Sequence, residues 1–172
     1  MNYFAYGSNM LHERLQKRVP SVKPLGVATL KGYSLKWHKR SNDESGKCDI
    51  IETGNSADIV YGVLYEIDPY EKPKLDRAEG LGRGYDDKVI EVSLDGKSCK
   101  AITYLTAQID TRLKPYDWYK AYVVAGAKQN KLPAEYIKAL EQADSKADTD
   151  SCRRSRNERI LKESQQGRGH AQ

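Results

Sequence analysis

Near its start the chain reads Tyr3-Phe4-Ala5-Tyr6-Gly7-Ser8-Asn9-Met10, a strand-forming run that turns at a glycine into a helical pattern. The beginning of a helix leaves backbone N–H groups without partners inside the helix. These donors, together with the helix dipole, favour a carboxylate or a developing oxyanion. Gly7 lets the backbone approach a ligand closely, and Ser8 or Asn9 could cap the helix. The stretch therefore indicates an anion-binding turn, although many such turns only start a helix.

The length and the composition indicate one soluble domain. The chain has 172 residues, of which 38% are apolar and 31% are charged, which suits a single core better than two. No apolar run approaches the ~20 residues that cross a bilayer. No basic segment followed by an apolar stretch of signal-peptide type precedes the first strand. We therefore expect a cytoplasmic protein without a membrane partner.

The net charge of +5 does not predict a nucleic-acid partner. Lysines and arginines are spread along the whole chain among 24 acidic residues. A scattered excess of this kind serves solubility and weak steering rather than a binding footprint. The one dense cluster lies in the C-terminal tail and consists of Arg153, Arg154, Arg156 and Arg159.

The cysteines and histidines predict neither a disulfide framework nor a metal site. The cysteines are Cys48, Cys99 and Cys152, and the histidines are His12, His38 and His170. Their spacings include no CxxC pair and no metal-ligand pattern. We expect Cys48 and Cys99, which fall on predicted strands, to be buried as small apolar residues.

Alternating apolar residues and turn signals predict strands in the first two-thirds of the chain, with helices within and after them. The predicted strands are 22–38 with a break at Gly32, 48–52, 59–67, 85–94 and 98–106, and the predicted helices are 68–79, 116–130 and 133–143. Short strands without βαβ alternation favour an α+β fold built on a small closed or nearly closed barrel. We predict one domain over 1–143 and a charged, flexible tail over 144–172.

Three segments, in order, carry a resemblance to a known family. The first is the turn already quoted. The second is Leu75-Asp76-Arg77-Ala78-Glu79-Gly80, and the third runs from Tyr119 through Gly126-Ala127-Lys128-Gln129-Asn130 and Leu132-Pro133-Ala134-Glu135-Tyr136. Respectively, they resemble the YGSN signature loop, the LDxxEG segment and the C-terminal helices of the γ-glutamylcyclotransferase family, which includes AIG2-like cyclotransferases. Together the matches span residues 2–143.

The resemblance implies a fold and a reaction. The fold is a small mixed β-barrel with flanking helices, and members of the family often form homodimers. The reaction is intramolecular aminolysis, in which the α-amine of a γ-glutamyl group attacks its own γ-carbonyl. It releases 5-oxoproline and a free amino acid or amine, with no metal and no organic cofactor. The expected partner is therefore a small γ-glutamyl substrate.

The resemblance places the catalytic role on Glu79. The α-amine is protonated at neutral pH, so a general base must take its proton, and the same group can then protonate the leaving nitrogen. One carboxylate can do both when partial burial brings its pKa closer to neutrality than that of a solvated glutamate. The alternative is that Glu79 is an exposed acid at the end of a helix, as most glutamates are surface charges.

The predicted substrate-binding residues are the turn and three further tyrosines. They are Tyr3, Phe4, Ala5, Tyr6, Gly7, Ser8, Asn9, Tyr85, Tyr104 and Tyr119. The turn's backbone N–H groups would hold either the substrate carboxylate or the oxyanion, and the sequence leaves both open. For Tyr85 and Tyr104, a core position and a pocket position both stay open. Tyr119 has the tighter motif match and is expected to contact the substrate.

Two features depart from the family pattern. Met10 stands where leucine is familiar, and residues 41–56 show little similarity and could border the substrate pocket. The general branch, which acts on γ-glutamyl amino acids, is favoured. A γ-glutamylamine cyclotransferase and a non-catalytic protein that recruits partners through the arginine-rich tail remain alternatives.

Overall fold

The computed structural model describes residues 1–82, 84–106 and 108–166, and it contains a five-stranded β-barrel with helices around it. The strands are β1 (Asn2–Ala5), β2 (Lys23–Lys31), β3 (Tyr33–Arg40), β4 (Gly46–Glu52), β5 (Ile59–Glu66), β6 (Asp86–Leu94) and β7 (Lys97–Leu105). The helices are α1 (His12–Gln16), α2 (Lys72–Glu79), α3 (Asp117–Gln129), α4 (Ala134–Gln142) and α5 (Ser151–Gln166). The predicted α+β fold with a small mixed barrel is confirmed. Within the described ranges, we find no helix with the length and apolar character needed to span a membrane.

The barrel closes in the order β1-β5-β2-β6-β7. Its neighbours are antiparallel except for the closing pair, in which β1 meets β7 in parallel at Tyr3 and Ile102. The strands β3 and β4 form a separate antiparallel ribbon. The predicted break at Gly32 is confirmed, because this glycine has a φ of 77° and separates β2 from β3.

Turn chemistry sets the ends of several elements as the sequence predicts. Asp95 and Gly96 have φ values of 50° and 77°, and positive values at both positions match the turn that joins a two-residue hairpin. The predicted helix at 68–79 divides into a 3₁₀ turn, Pro69–Glu71, and α2, with Pro73 in the first turn of α2. Gly80 ends α2 in the left-handed region, at a φ of 72°.

Helix α3 lies against the turn that follows β1. The apolar face of α3 buries Trp118, Tyr122, Val123 and Ala127. Gly126 brings the two segments together, since a Cβ on this residue would lie 2.5 Å from the backbone nitrogen of Leu11 and 2.7 Å from the carbonyl carbon of Met10. Because glycine has no Cβ, the turn and α3 can approach each other this closely.

The segment expected to be a flexible tail contains a helix that packs on the rest of the protein. In α5, Leu161 is 9% exposed and Ser164 is 3% exposed. Asp148, which precedes α5, accepts hydrogen bonds from Trp118 Nε1 at 2.8 Å and from Arg153 Nη2 at 2.6 Å. The composition alone missed this docking, because one buried carboxylate and a few apolar contacts suffice to hold the helix. Residues 167–172, including His170, lie outside the described residues.

We expect Asp148→Asn to loosen α5 and to change the pH dependence of stability. The Arg153 guanidinium holds the pKa of the Asp148 carboxyl well below its usual range. A carboxyl whose pKa is depressed in the folded state stabilises the protein at pH values above its unfolded pKa of about 4. This stabilisation is lost as the pH falls below that value. The variant should therefore lower the Tm at pH 6 by about 5 °C, and it should lose less on going from pH 6 to pH 3 than the wild type.

The matched control is Asp144→Asn, since the Asp144 side chain is 79% exposed and its ion pair with Lys114 lies at the surface. Thermal unfolding followed by circular dichroism at both pH values measures the effect. Equal Tm losses for the two variants would contradict a role for Asp148 in holding α5.

Candidate active site

A pocket lies where the end of β1, the C-terminal end of α2 and the helix α3 meet. It holds about 300 Å³ of empty space, part of it open to solvent. Its lining residues are Tyr3, Tyr6, Gly7, Ser8, Asn9, Cys48, Glu79, Tyr85, Tyr104 and Tyr119. The structure thus brings together every predicted site residue except Phe4 and Ala5.

Phe4 and Ala5 belong to the core rather than to the pocket lining. Their exposures are 0% and 1%. A Cβ on Gly62 of the neighbouring strand β5 would lie 2.5 Å from the Ala5 carbonyl oxygen and 2.7 Å from the Phe4 ring. The two residues are enclosed because β1 runs through the barrel wall with β5 pressed against it.

The turn after β1 is a 3₁₀ turn over Ser8–Met10, followed by α1 from His12. Its backbone hydrogen bonds run from Met10 N–H to the Gly7 oxygen at 3.0 Å and from Leu11 N–H to the Ser8 oxygen at 3.3 Å. The amides of Ser8 and Asn9 therefore stand at the beginning of the turn, where N–H groups have no partner within it.

The expectation that Ser8 or Asn9 caps the helix is wrong. Neither the 3₁₀ turn nor α1 has a side-chain cap. Instead, Ser8 Oγ accepts a hydrogen bond from Arg14 Nε at 3.2 Å, and Asn9 Nδ2 donates to Glu79 Oε1 at 2.8 Å. Hydrogen bonds to charged groups are stronger than neutral ones, so these partners outcompete the helix end.

Glu79 ends α2 with its side chain turned into the pocket. The side chain is 15% exposed and Arg18 Nη1 lies 2.6 Å from Oε1, so the alternative of an exposed helix-terminal acid is wrong. Arg18 also donates to Asn9 Oδ1 at 3.0 Å. The two donors hold Oε1 in place, and among the described residues Oε2 has no hydrogen-bond partner. One carboxylate oxygen is therefore fixed and the other is available.

Three of the pocket's tyrosine hydroxyls donate their protons to the protein itself. Tyr6 donates to the Tyr104 carbonyl oxygen. Tyr85 donates to the Cys48 carbonyl oxygen at 2.7 Å, and Tyr104 donates to Asp76 Oδ1 at 2.6 Å. These hydroxyls fix the shape of the pocket. Tyr85 and Tyr104 are thus both buried residues and pocket residues, which resolves the choice that the sequence left open.

Two tyrosine hydroxyls accept a hydrogen bond and keep a proton to donate. The Tyr3 hydroxyl accepts from Asn9 Nδ2 at 2.9 Å, and the Tyr119 hydroxyl accepts from Cys48 N–H at 3.1 Å. Burial raises the pKa of both tyrosines well above the usual value, and for Tyr3 the nearby Glu79 charge adds to the effect. Both groups are therefore neutral donors at pH 7.

Gly7 and Cys48 lie against each other beneath the pocket. A Cβ on Gly7 would lie 3.1 Å from Cys48 Cβ and 3.4 Å from the Tyr119 hydroxyl. Cys48 is 1% exposed, as expected, and burial raises the pKa of its thiol to about 12. At pH 7 it is a thiol and a wall of the pocket, since the thiolate is the nucleophilic form.

A second opening, which we call the cationic cleft, adjoins the pocket and was missed by sequence reasoning. Its lining residues are Ser8, Arg14, Arg18, Lys39, Ser41, Lys47, Ala78, Glu79, Tyr85 and Tyr119. The four cations come from the segment after the turn and from the ribbon of β3 and β4. The spacing of Arg14 and Arg18 by four residues is the one signal in the sequence, while Lys39 and Lys47 meet only through strand pairing. Lys47 and Cys48 fall within the region 41–56 that we expected at the border of the pocket.

The described residues hold no group of three or more His, Cys, Asp or Glu side chains arranged to bind a metal ion. The available groups in the pocket are the Glu79 carboxylate, the amides of the turn and the two tyrosine hydroxyls. They suit proton transfer to and from a small polar substrate.

Comparison with known proteins identifies the family. Residues 59–140, which include the LDxxEG segment and most of α3 and α4, match the model of the AIG2-like family. A γ-glutamylcyclotransferase of Bos taurus is 34% identical over 149 residues, covering 83% of this chain and 78% of the relative. The chain belongs to the γ-glutamylcyclotransferase family. The human γ-glutamylcyclotransferase is likewise 34% identical, over 153 residues that cover 83% of this chain and 79% of that protein.

The fold leads to the same family. A solved structure named γ-glutamyl cyclotransferase superposes with a TM-score of 0.82 at 28% sequence identity, covering 95% of this chain and 98% of that structure. This likeness covers more of the chain than the 59–140 stretch that the family model matches. The resemblance seen in the three sequence segments is confirmed.

Proposed function

We propose that this member of the γ-glutamylcyclotransferase family converts γ-glutamyl amino acids to 5-oxoproline and a free amino acid, with Glu79 as the general acid and base. The observation that carries the proposal is the position of Glu79. Its carboxylate is held by Arg18 and Asn9 at Oε1 and leaves Oε2 available in the pocket formed by the turn after β1.

The proton transfers follow from this position. Glu79 Oε2 takes a proton from the α-ammonium of the substrate, and the free amine forms a bond to the γ-carbonyl carbon. The bond from that carbon to the leaving nitrogen then breaks as Glu79 gives the proton to this nitrogen. The ring nitrogen loses its second proton through the same carboxylate to the released amine, so the products are a neutral lactam and an ammonium group. A positioned acid–base group of this kind contributes about 10²–10⁴-fold to the rate. Atoms and charge balance without water or a further reagent.

The pocket also supplies two sets of donors for the negative groups of the substrate. The amides at the beginning of the turn form one set, and the hydroxyls of Tyr3 and Tyr119 form the other. The substrate presents an α-carboxylate and a γ-carbonyl oxygen, which gains negative charge during the attack. Donors fixed in advance at such an oxygen stabilise the transition state.

We expect purified protein to release 5-oxoproline from γ-glutamyl-alanine, and chromatography of the product measures it. Glutathione and γ-glutamyl-ε-lysine complete the substrate panel. Release from γ-glutamyl-ε-lysine alone would instead assign a γ-glutamylamine cyclotransferase. Release from none of the three would contradict the proposed activity and favour a non-catalytic protein with this fold.

A further inference from the structure

The cationic cleft collects like charges from two separate parts of the fold. Arg14 lies in α1, and Arg18 lies two residues after the end of this helix. Lys39 comes from β3 and Lys47 from β4. Lys39 and Lys47 are direct cross-strand neighbours in the ribbon. Like charges placed opposite each other on two strands, or four residues apart near a helix, destabilise the fold. The four cations that face this opening therefore repel one another.

Only two of the four cations have a carboxylate partner among the described residues. Arg18 pairs with Glu79 at 2.6 Å, and Lys47 pairs with Asp43 at 2.8 Å. Arg14 and Lys39 have no described carboxylate within ion-pair distance. The cleft therefore offers two cations for a ligand.

Lys39 is the less compensated of these two. The residue is 9% exposed, and its ammonium lies 4.2 Å from the centre of the Tyr85 ring. Among the described residues it makes no hydrogen bond through Nζ. A buried charge without an acidic partner is costly, because the lost hydration is not replaced. An aromatic ring offsets only part of this cost.

Within the part of the chain that the structure describes, the contacts of Arg14 are with neutral groups. Its Nε donates to Ser8 Oγ at 3.2 Å, and its guanidinium carbon lies 4.5 Å from the centre of the Tyr122 ring. Through Ser8 the guanidinium is tied to the turn that lines the pocket of Glu79. An anion bound between Arg14 and Lys39 would therefore sit beside the reacting groups.

We propose that the cationic cleft binds the carboxylates of the leaving amino acid, so that γ-glutamyl compounds with a dicarboxylic leaving amino acid are preferred. The inference rests on the proposed cyclotransferase activity and goes beyond it by naming the substrate class. Two cations without acidic partners match the two carboxylates of such a leaving group. A leaving amine without a carboxylate would enter the cleft with both cations uncompensated.

The test uses three substrates that share the γ-glutamyl group and differ in the leaving part. These are γ-glutamyl-ethylamide with no carboxylate there, γ-glutamyl-alanine with one and γ-glutamyl-glutamate with two. In the wild type we expect kcat/KM to rise along this series. In Lys39→Met, the ratio of kcat/KM for γ-glutamyl-glutamate over γ-glutamyl-ethylamide should fall about tenfold, the size expected for one hydrogen bond to a charged group.

Two further variants separate charge from folding. Lys39→Arg keeps the positive charge and should restore most of the ratio. Lys36→Met is the matched control, because Lys36 lies exposed on the same strand and does not line the cleft. We expect it to leave the ratio unchanged, and thermal unfolding of each variant shows whether the fold is kept.

The outcomes distinguish the possible sources of the anion. If kcat/KM falls equally for all three substrates in Lys39→Met, Lys39 binds the α-carboxylate of the shared γ-glutamyl group. This result would overturn the proposal. A Lys39→Met variant with unchanged kcat/KM for every substrate would overturn it as well. If the wild type releases no 5-oxoproline at all, the proposed activity fails. Calorimetry with L-glutamate, L-alanine and ethylamine then tests separately whether the cleft binds carboxylates. Lys39-dependent preference for L-glutamate would support the anion site, and its absence would overturn it.

Discussion

Replacing Glu79 with glutamine is expected to lower kcat for 5-oxoproline release by about 10²–10⁴-fold. The amide oxygen of glutamine can still accept hydrogen bonds from Arg18 and Asn9, so the side chain keeps its place. It cannot take a proton from the α-ammonium of the substrate. The loss should therefore fall mainly on kcat and much less on KM, which steady-state kinetics with γ-glutamyl-alanine measures.

The matched control is Glu66→Gln, at an exposed glutamate that ends β5 away from the pocket. It should retain the activity of the wild type. Because Glu79→Gln leaves the Arg18 guanidinium without its acidic partner, thermal unfolding must accompany the kinetics. A folded Glu79→Gln protein that keeps more than about a tenth of the wild-type kcat would exclude Glu79 as the acid–base group.

Gly126→Ala is expected to destabilise the protein by about 2 kcal/mol and to reduce activity as well. The new Cβ would lie 2.5 Å from the Leu11 backbone nitrogen, and backbone atoms in a packed core yield only at a cost of about 3 kcal/mol. The better helix propensity of alanine returns about 1 kcal/mol of this. For a chain of this length the net loss corresponds to a fall in Tm of about 4–8 °C.

The activity falls because Leu11 directly follows the turn that carries Ser8 and Asn9. A displacement of the turn by a fraction of an ångström misplaces its donors relative to Glu79, and a misplacement of about 1 Å can cost 10²-fold in rate. Lys128→Ala, two residues further along α3 at an exposed position, is the control and should change Tm by no more than about 2 °C. Equal Tm values for Gly126→Ala and the wild type would show that α3 can move away from the turn without cost.

Local sequence patterns predicted those parts of the fold that local chemistry governs. The hairpin turn at Asp95-Gly96 needs positive φ values at both residues, and few residue types tolerate them. The break at Gly32 and the end of α2 at Gly80 follow the same rule. The tail was predicted less well, because the helix α5 depends on contacts of Asp148 and Leu161 with residues far away in the chain.

The sequence predicted most of the residues that line the pocket but not the hydrogen bonds between them. The three family-like segments contain seven of its ten lining residues, since a motif preserves the residue types that the site needs. Some tyrosine hydroxyls can donate a hydrogen bond to the substrate, and others donate to the protein itself. The difference depends on the partner that folding places beside each hydroxyl. Arg18 escaped notice because its contact with Glu79 joins residues that are 61 positions apart.

By itself, the sequence determined the strand-and-turn pattern of the barrel, the family-like motifs and the candidate acid–base residue. These features depend on backbone preferences and residue types within short windows. The tertiary structure alone decided that Phe4 and Ala5 lie in the core, that Arg18 and Asn9 hold Glu79, and that Lys39 meets Lys47 beside Arg14. Burial, ion pairing and like-charge contact are properties of groups brought together from distant parts of the chain, and no local pattern records them.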